Sequence, residues 1–408
     1  MAEPFLTGLR TTPGVYWVSP AGGLRRGAEL VDRIEIVACT DDPERVRRQV
    51  FEMAGVTVTA VSDRVEFVRD GAATCVTCAT PEAAGATLLE LTGTTWHLDA
   101  LRAYAADRGL VLSRDGLFDD GRRVASTEEE IYPALGLPFI PAEVRDGGEE
   151  LARGRLNRIP ALVSRDDIRG DLHMHTRWSD GRDSVEDMVQ AGVALGYDYL
   201  AITDHSHSSA AVRNLEIDAV AKQADEIARI RQRYPQIAIL HGCEVDILPD
   251  GSLDFPDAVL QQFDIVLASL HDRAGQSADE LLDRYERAMR HPRVSIVTHP
   301  TNRVFPTRPG YELDFERLFE LAVETGTSLE IDGAPSHLDL DSVLALRAQL
   351  AGVTLTIDSD CHRSEMLGLQ MDLGIRLARG GWVEPRHVLN TRPLSGVLAW
   401  INAKRDSA

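Results

Sequence analysis

From about residue 171 onward, short apolar runs alternate with amphipathic stretches, and nearly every run ends in a histidine or a carboxylate. The runs are Gly170–His173, Tyr199–Thr203, Ile237–His241, Asp264–Leu270, Val294–Thr298, Ser328–Asp332 and Val353–Asp358. They are rich in β-branched residues, as strands buried on both faces are. Between them lie Ser184–Leu195, Glu216–Tyr234, Ser277–Arg290, Asp314–Thr325 and Leu340–Leu350, which carry helical periodicity. Serine, or Asp-Ser, ahead of such stretches offers an N-cap. Seven strands alternating with helices predict a parallel α/β barrel near the (β/α)8 type, with its chemistry at the C-terminal strand ends.

Nine metal-type side chains fall at or near those ends: His173, His175, Asp180, His205, Glu244, His271, His299, Asp360 and His362. Six of the chain's 12 histidines are among them. Any one alone reads as a hydrogen-bonded loop residue. Arriving together at one rim, they predict a metal centre. Residues i and i+2 of a strand share a face, so His173 and His175 can serve one ion. Mixed imidazole and carboxylate donors suit zinc, manganese or iron better than calcium or magnesium alone. Nine donors exceed the needs of one ion, so two or three divalent transition-metal ions are expected, with a carboxylate as natural bridge. Such a cluster polarises a phosphoryl oxygen and acidifies water, which implies hydrolysis of a phosphate ester. The catalytic residues expected are Glu244, Asp360 and His271. Asp204 is either a carboxylate that orients His205 or a surface aspartate. Arg303 is either a bidentate phosphate clamp in a substrate-binding role or a solvated loop arginine.

The chain carries a net charge of −21, which argues against a surface built to grip long duplex DNA tightly. A local basic groove stays compatible with it. Five cysteines without regular spacing point to a reducing cytoplasm rather than a disulfide scaffold. Cys75 and Cys78 form a CxxC with no second pair nearby. No apolar run approaches the ~18–20 residues needed to span a bilayer, and the start shows no secretion signal. A soluble, cytoplasmic protein without membrane contact is expected.

Ahead of the barrel, Arg33–Cys39, Val56–Val61, Val65–Val68 and Thr74–Cys78 read as strands, and Pro43–Phe51 as a helix. Residues 92–140 read as mainly helical with a short hairpin near Gly116–Val124, and Pro141–Pro160 reads as a linker. The expected organisation is a small α+β domain over 1–91, a second over 92–145, a linker over 146–167 and the metal-binding barrel over 168–408.

The motifs Gly-Asp-Leu-His-Met-His-Thr, Ile-Thr-Asp-His-Ser, Glu-Val-Asp-Ile-Leu-Pro-Asp-Gly, Ala-Ser-Leu-His, Thr-His-Pro-Thr and Asp-Ser-Asp-Cys-His resemble the polymerase-and-histidinol-phosphatase (PHP) superfamily. They are most similar to the version fused to bacterial family-X DNA polymerases. The resemblance implies a distorted (β/α)7 barrel with a trinuclear site. One ion would take His173, His175, Glu244 and Asp360, a second Glu244, His271 and His299, and a third Asp180, His205 and His362. It also implies 3′–5′ exonuclease or phosphatase action, typically supported by manganese.

The first half resembles the nucleotidyltransferase-like palm and thumb of such a polymerase. Pro20–Arg26 is similar to the palm's phosphate loop, and Thr92–Pro141 to the thumb. The palm's three magnesium-binding aspartates match Arg33, Glu35 and Cys75, so two of three hard oxygen ligands are replaced and magnesium binding is expected to fail. An Arg33–Glu35 ion pair is an alternative use of that face. The family's amino-terminal helical DNA-binding modules have no room before residue 15.

The leading expectation is a 3′–5′ exonuclease or 3′-end phosphatase acting on single-stranded or 3′-terminal DNA in repair, with an inactive palm. A small-molecule phosphatase and a non-catalytic scaffold are the alternatives.

Overall fold

The computed structural model describes residues 2–55, 59–61, 63–209 and 213–406. The chain forms two compact units, Met1–Pro160 and Ala161–Ala408.

In the first unit, β1 (Val15–Ala21), β2 (Arg33–Thr40), β3 (Thr59–Val61), β4 (Arg64–Arg69) and β5 (Ala72–Ala79) form one sheet in the order β1-β2-β5-β4-β3. The strand expected at Val56–Val61 is seen at Thr59–Val61, and 56–58 lie outside the described residues. Alternation along β2 sends Ile34, Ile36 and Ala38 into a core with Phe5, Leu9, Val46, Val50, Val65 and Val76. A helix over Ala2–Arg10, without a counterpart among the expected elements, supplies Phe5 and Leu9. The opposite sheet face brings Arg33, Glu35 and Cys75 together, since Arg33 and Glu35 lie on β2 and Glu35 pairs with Cys75 on β5. Arg33 Nε lies 2.7 Å from Glu35 Oε1, and its Nη1 lies 3.5 Å from Glu66 on β4.

Residues 95–125 hold a helix, Thr95–Ala106, and a three-stranded antiparallel sheet: β6 (Leu110–Ser113), β7 (Gly116–Asp119) and β8 (Arg122–Ala125). The expected hairpin thus gains a third strand. The stretch read as a linker carries a helix at Glu150–Arg155 and a fully buried Arg145. Arg145 Nη1 reaches Glu128 Oε1 at 2.5 Å, and Arg25 grips the same carboxylate with both terminal nitrogens at 2.7 and 2.6 Å. Glu128→Ala would leave the buried Arg145 charge unmatched. It should cost about 3–5 kcal/mol, read as a shift in the urea midpoint of the first unit. Burial raises the Glu128 carboxyl, but Arg25 and Arg145 outweigh it and hold it below its ordinary value. The stability it contributes is therefore present above its ordinary carboxylate range and lost as pH falls through the lower folded value.

The second unit is a nearly closed parallel barrel wrapped by helices. Its strands are β9 (Gly170–Asp171), β10 (Tyr199–Ile202), β11 (Ala238–Asp246), β12 (Ile265–Ser269), β13 (Val294–Val297), β14 (Ser328–Asp332) and β15 (Leu355–Asp358). They neighbour one another in sequence order, and among the described residues there are seven, as expected. A parallel bridge between Met174 and Cys361 joins the two edges, with the His175 amide donating to Cys361 O at 2.9 Å. Period-two alternation separates two cores. Leu172, Tyr199, Ala201, Leu240, Ile265, Leu267 and Ile296 pack with Val397 and Ile401 of the C-terminal helix Leu394–Asp406. Leu200, Ile202, Ile239, Val266, Leu329, Ile331 and Ile357 pack in a second cluster with apolar residues of the surrounding helices. Ser184 and Ser277 cap their helices through reciprocal boxes with Asp187 and Glu280, as their position in the sequence suggested. Among the described residues, no helix is long and apolar enough to cross a membrane.

β11 runs past the expected His241 end to Asp246. Its second half pairs with β12, Gly242 to Ile265 and Glu244 to Leu267. Glu244 therefore stands within a strand and not in the loop after it.

Candidate metal centre

All nine side chains singled out from the sequence come together at the C-terminal rim of the barrel. His173 and His175 lie just past β9, with Nε2 atoms 3.0 Å apart. Around them the donors fall into three groups. In the first, Glu244 Oε2 is 3.4 Å from both Nε2 atoms, and Asp360 Oδ1 is 3.6 Å from that of His173 and 3.0 Å from that of His175. In the second, Glu244 Oε1 is 3.6 Å from His271 Nε2 and 3.0 Å from His299 Nε2. In the third, Asp180 Oδ1 is 3.6 Å from His205 Nε2 and 3.2 Å from His362 Nε2. The His175 ring is stacked between His205 and His362, with centroids at 4.2 and 4.3 Å.

These spacings fit metal ions. Donor atoms about 2.0–2.2 Å from one ion in a tetrahedron stand about 3.3–3.6 Å apart. The two oxygens of Glu244 face different groups, which is the geometry of a bridge. A second sign is in the hydrogen bonding. Glu244 Oε2 is buried and accepts no hydrogen bond, although three imidazole nitrogens surround it within 3.4 Å, the closest being His205 Nδ1 at 2.7 Å. His205 Nδ1, which faces that oxygen, is buried and equally unmatched. A cation satisfies such donors where protons do not.

Carboxylates and carbonyls behind the rim set the imidazole tautomers. Glu330, at the middle of β14, accepts from His173 Nδ1 at 2.7 Å, and its other oxygen accepts from the His299 amide at 2.8 Å. Asp246 accepts from His271 Nδ1 at 2.8 Å. His362 Nδ1 donates to the Asp360 carbonyl at 3.0 Å. Each bond leaves Nε2 for the centre. Burial opposes charge on Glu244, yet His205, His173 and His271 hold it well below the usual carboxylate range. Burial and the His205 and His362 rings push His175 down to about 3. Burial lowers His271 too, but Glu244 and Asp246 prevail and raise it to about 9. This is a ligand set that exchanges protons for cations.

Two ligand positions have left-handed backbone, His299 at φ 27° and Asp360 at φ 48°. Such conformations cost about 1–3 kcal/mol each in non-glycine residues and persist where surrounding structure enforces them. Gly181 matters for another reason. A Cβ there would sit 2.5 Å from the His175 carbonyl and force the Asp180 loop away.

Asp204 is not on the surface, and its side-chain hydrogen bonds go to groups other than an imidazole. It is fully buried and accepts from Thr176, Ser179 and Gln223, including 2.7 Å to the Thr176 amide and 2.6 Å to Ser179 Oγ. It pins the loop that carries Asp180. Arg303 is tied to its surroundings: Nε donates to His337 O at 2.8 Å, Nη1 is 3.7 Å from Asp341, and the guanidinium lies over the Phe305 ring. Glu330 and Asp246 were missed. Their signals were a carboxylate between Leu329 and Ile331 in a fully buried strand, and one two residues beyond Glu244 on the same strand face.

With ions bound, the rim would neutralise phosphate charge and supply an activated water at neutral pH. The chain's own part is to fix the donors, strip water from Glu244 and Asp360, and hold imidazole tautomers.

The PHP domain family matches residues 171–332, and the DNA polymerase beta thumb family matches residues 87–146. The DNA polymerase/3′-5′ exonuclease PolX of Bacillus subtilis is 38% identical over 392 residues, covering 94% of this chain and 68% of that protein. A probable phosphatase of Thermoanaerobacter is 26% identical, covering 54% of this chain and 89% of its own. The solved histidinol phosphate phosphatase of Lactococcus lactis, a complex with zinc, L-histidinol and phosphate, aligns at 17% identity with a TM-score of 0.41. It covers 53% of this chain and 94% of its own.

Proposed function

The chain belongs to the bacterial family-X DNA polymerase family whose members carry a PHP domain, its barrel is a metal-dependent phosphoesterase, and on that footing we propose that it removes nucleotides from DNA 3′ ends. The observation that carries the reading is the bridging position of Glu244, with one oxygen toward His173 and His175 and the other toward His271 and His299. Two or three ions, manganese, zinc or iron, would be held by the three donor groups. Ions held there would supply the cationic charge that stabilises the attacking and leaving oxygens of a phosphodiester, with Glu244 serving both sides.

A nucleic-acid substrate is supported by charge at the rim. In a chain of net charge −21, four exposed arginines gather beside Asp180 and His362. Arg182 donates its amide to His362 O, and its own carbonyl accepts from Arg177 Nε. Arg213 reaches toward Gly181 O, and Arg363 follows His362 directly. Such a rim suits phosphates flanking the scissile bond. Replacing Arg182 and Arg363 by Ala should weaken single-stranded oligonucleotide binding about tenfold. It should lower the salt slope by about 0.7 for each phosphate no longer neutralised. Turnover of a small phosphomonoester should not change. Equal loss on both substrates would mean that these arginines serve the metal centre instead.

The palm-like sheet supports hydrolysis without synthesis. Where magnesium would need oxygen ligands, the Arg33 guanidinium already pairs with Glu35, and Cys75 adds a thiol. One experiment tests the whole reading. Protein reconstituted with manganese, zinc or iron is given a 3′-labelled single-stranded oligonucleotide, a generic phosphomonoester, and a primed template with deoxynucleotides. Mononucleotide release without primer extension is expected. Turnover of the monoester alone would favour a small-molecule phosphatase, and turnover of neither would favour a scaffold.

A further inference from the structure

The nine-residue set leaves one strand end without a ligand, that of β14. Asp332 terminates this strand and is fully buried. Its Oδ1 accepts from the Ala334 amide at 2.6 Å, while Oδ2 is buried with no hydrogen-bond partner. The following loop returns His337 to the same place. The His337 amide donates to Ala334 O at 2.9 Å, and its carbonyl is held by Arg303. Its ring stacks on that of His299 with centroids 5.0 Å apart, and its Nδ1 is buried and unmatched. Asp332, His337 and Asp360 each offer a donor atom, and those atoms lie within 4.8 Å of one another. The loop is pressed into position, since a Cβ on Gly333 would fall 1.9 Å from the Gln370 carbonyl.

Two carboxylates side by side and shielded from water repel each other unless a positive charge lies between them. We infer that Asp332, His337 and Asp360 hold an additional divalent transition-metal ion, next to the three donor groups above and sharing Asp360 with the first of them. The inference rests on the reading of Asp360 as a metal ligand. Two carboxylate oxygens and one imidazole nitrogen suit manganese or zinc. Three protein ligands leave coordination positions open, and open positions take water or substrate. They would face a cavity of about 320 Å³ lined by His337, Asp360, His362, Arg363 and Gln370. An ion there would bind a phosphate oxygen on the cavity side of the reacting centre, and so favour substrates carrying more than one phosphate.

The test is manganese stoichiometry. Metal-stripped full-length protein is dialysed against a manganese series, and bound metal per chain is measured by elemental analysis. Asp332→Asn and His337→Asn should each bind one ion fewer than the parent, with the other ions retained at unchanged affinity. His337 is partly exposed, so His337→Asn carries the comparison should Asp332→Asn fail to fold. Parent-like stoichiometry in the folded variants overturns the inference alone. Loss of every ion in both variants overturns the separate site. A parent protein that binds none of manganese, zinc and iron in parallel dialyses overturns this inference together with the proposed function.

Discussion

Glu244→Gln should lower turnover of every phosphoester by about 10³-fold, the upper range for losing one preorganised electrostatic group in a dry site. The substitution keeps shape and volume but removes the charge. Glu244 is fully buried, and both of its oxygens serve, Oε2 facing His173, His175 and His205 and Oε1 facing His271 and His299. An amide keeps one coordinating oxygen and replaces the other with an NH2 that can only donate, so it cannot serve an ion on both sides. Bound metal should fall by at least one ion per chain while the fold survives, read by elemental analysis beside far-UV circular dichroism. A variant with parent rates and a full metal complement would remove Glu244 from the bridge.

Glu330→Gln should cost about 10- to 100-fold in metal affinity or rate, the range for residues that orient ligands. Both of its partners are donors, His173 Nδ1 at 2.7 Å and the His299 amide at 2.8 Å. A carboxylate accepts both. A carboxamide sets its NH2 against one of them. Since His173 and His299 belong to different donor groups, one substitution should weaken two ions together. Metal titration should show two weakened steps with little change in the KM of a small phosphomonoester. Parent-like steps would mean that packing alone orients the two histidines.

The barrel was legible because buried parallel strands leave continuous apolar runs, and because a histidine or acid marked most of their ends. Ser328–Asp332 appears as a strand with the same bounds. β11 was cut short because Gly242 and Glu244 look like loop residues. Its extension depends on a ladder with β12, a partner nearly twenty residues downstream. Only Gly116–Val124 reads as a hairpin, and β6 falls within the stretch read as mainly helical, because strands of four residues are too short to carry periodicity. In the site, the nine donors were legible by residue type and position. Glu330, Asp246 and Asp332 were not, because their chemistry follows from the face they occupy and from what lies across the barrel. Asp204 was noticed for the wrong reason. Adjacency to His205 suggested an orienting role, whereas its hydrogen bonds go to Thr176 and Ser179, more than two dozen residues upstream.

The most direct measurement is anomalous diffraction at the manganese absorption edge from crystals of the manganese-loaded protein. Strong peaks are predicted between His173, His175, Glu244 and Asp360, and on the other side of Glu244 beside His271 and His299. An ordered rim without anomalous signal, or signal confined to the protein surface, would contradict the proposal that these donors form a multinuclear hydrolytic centre.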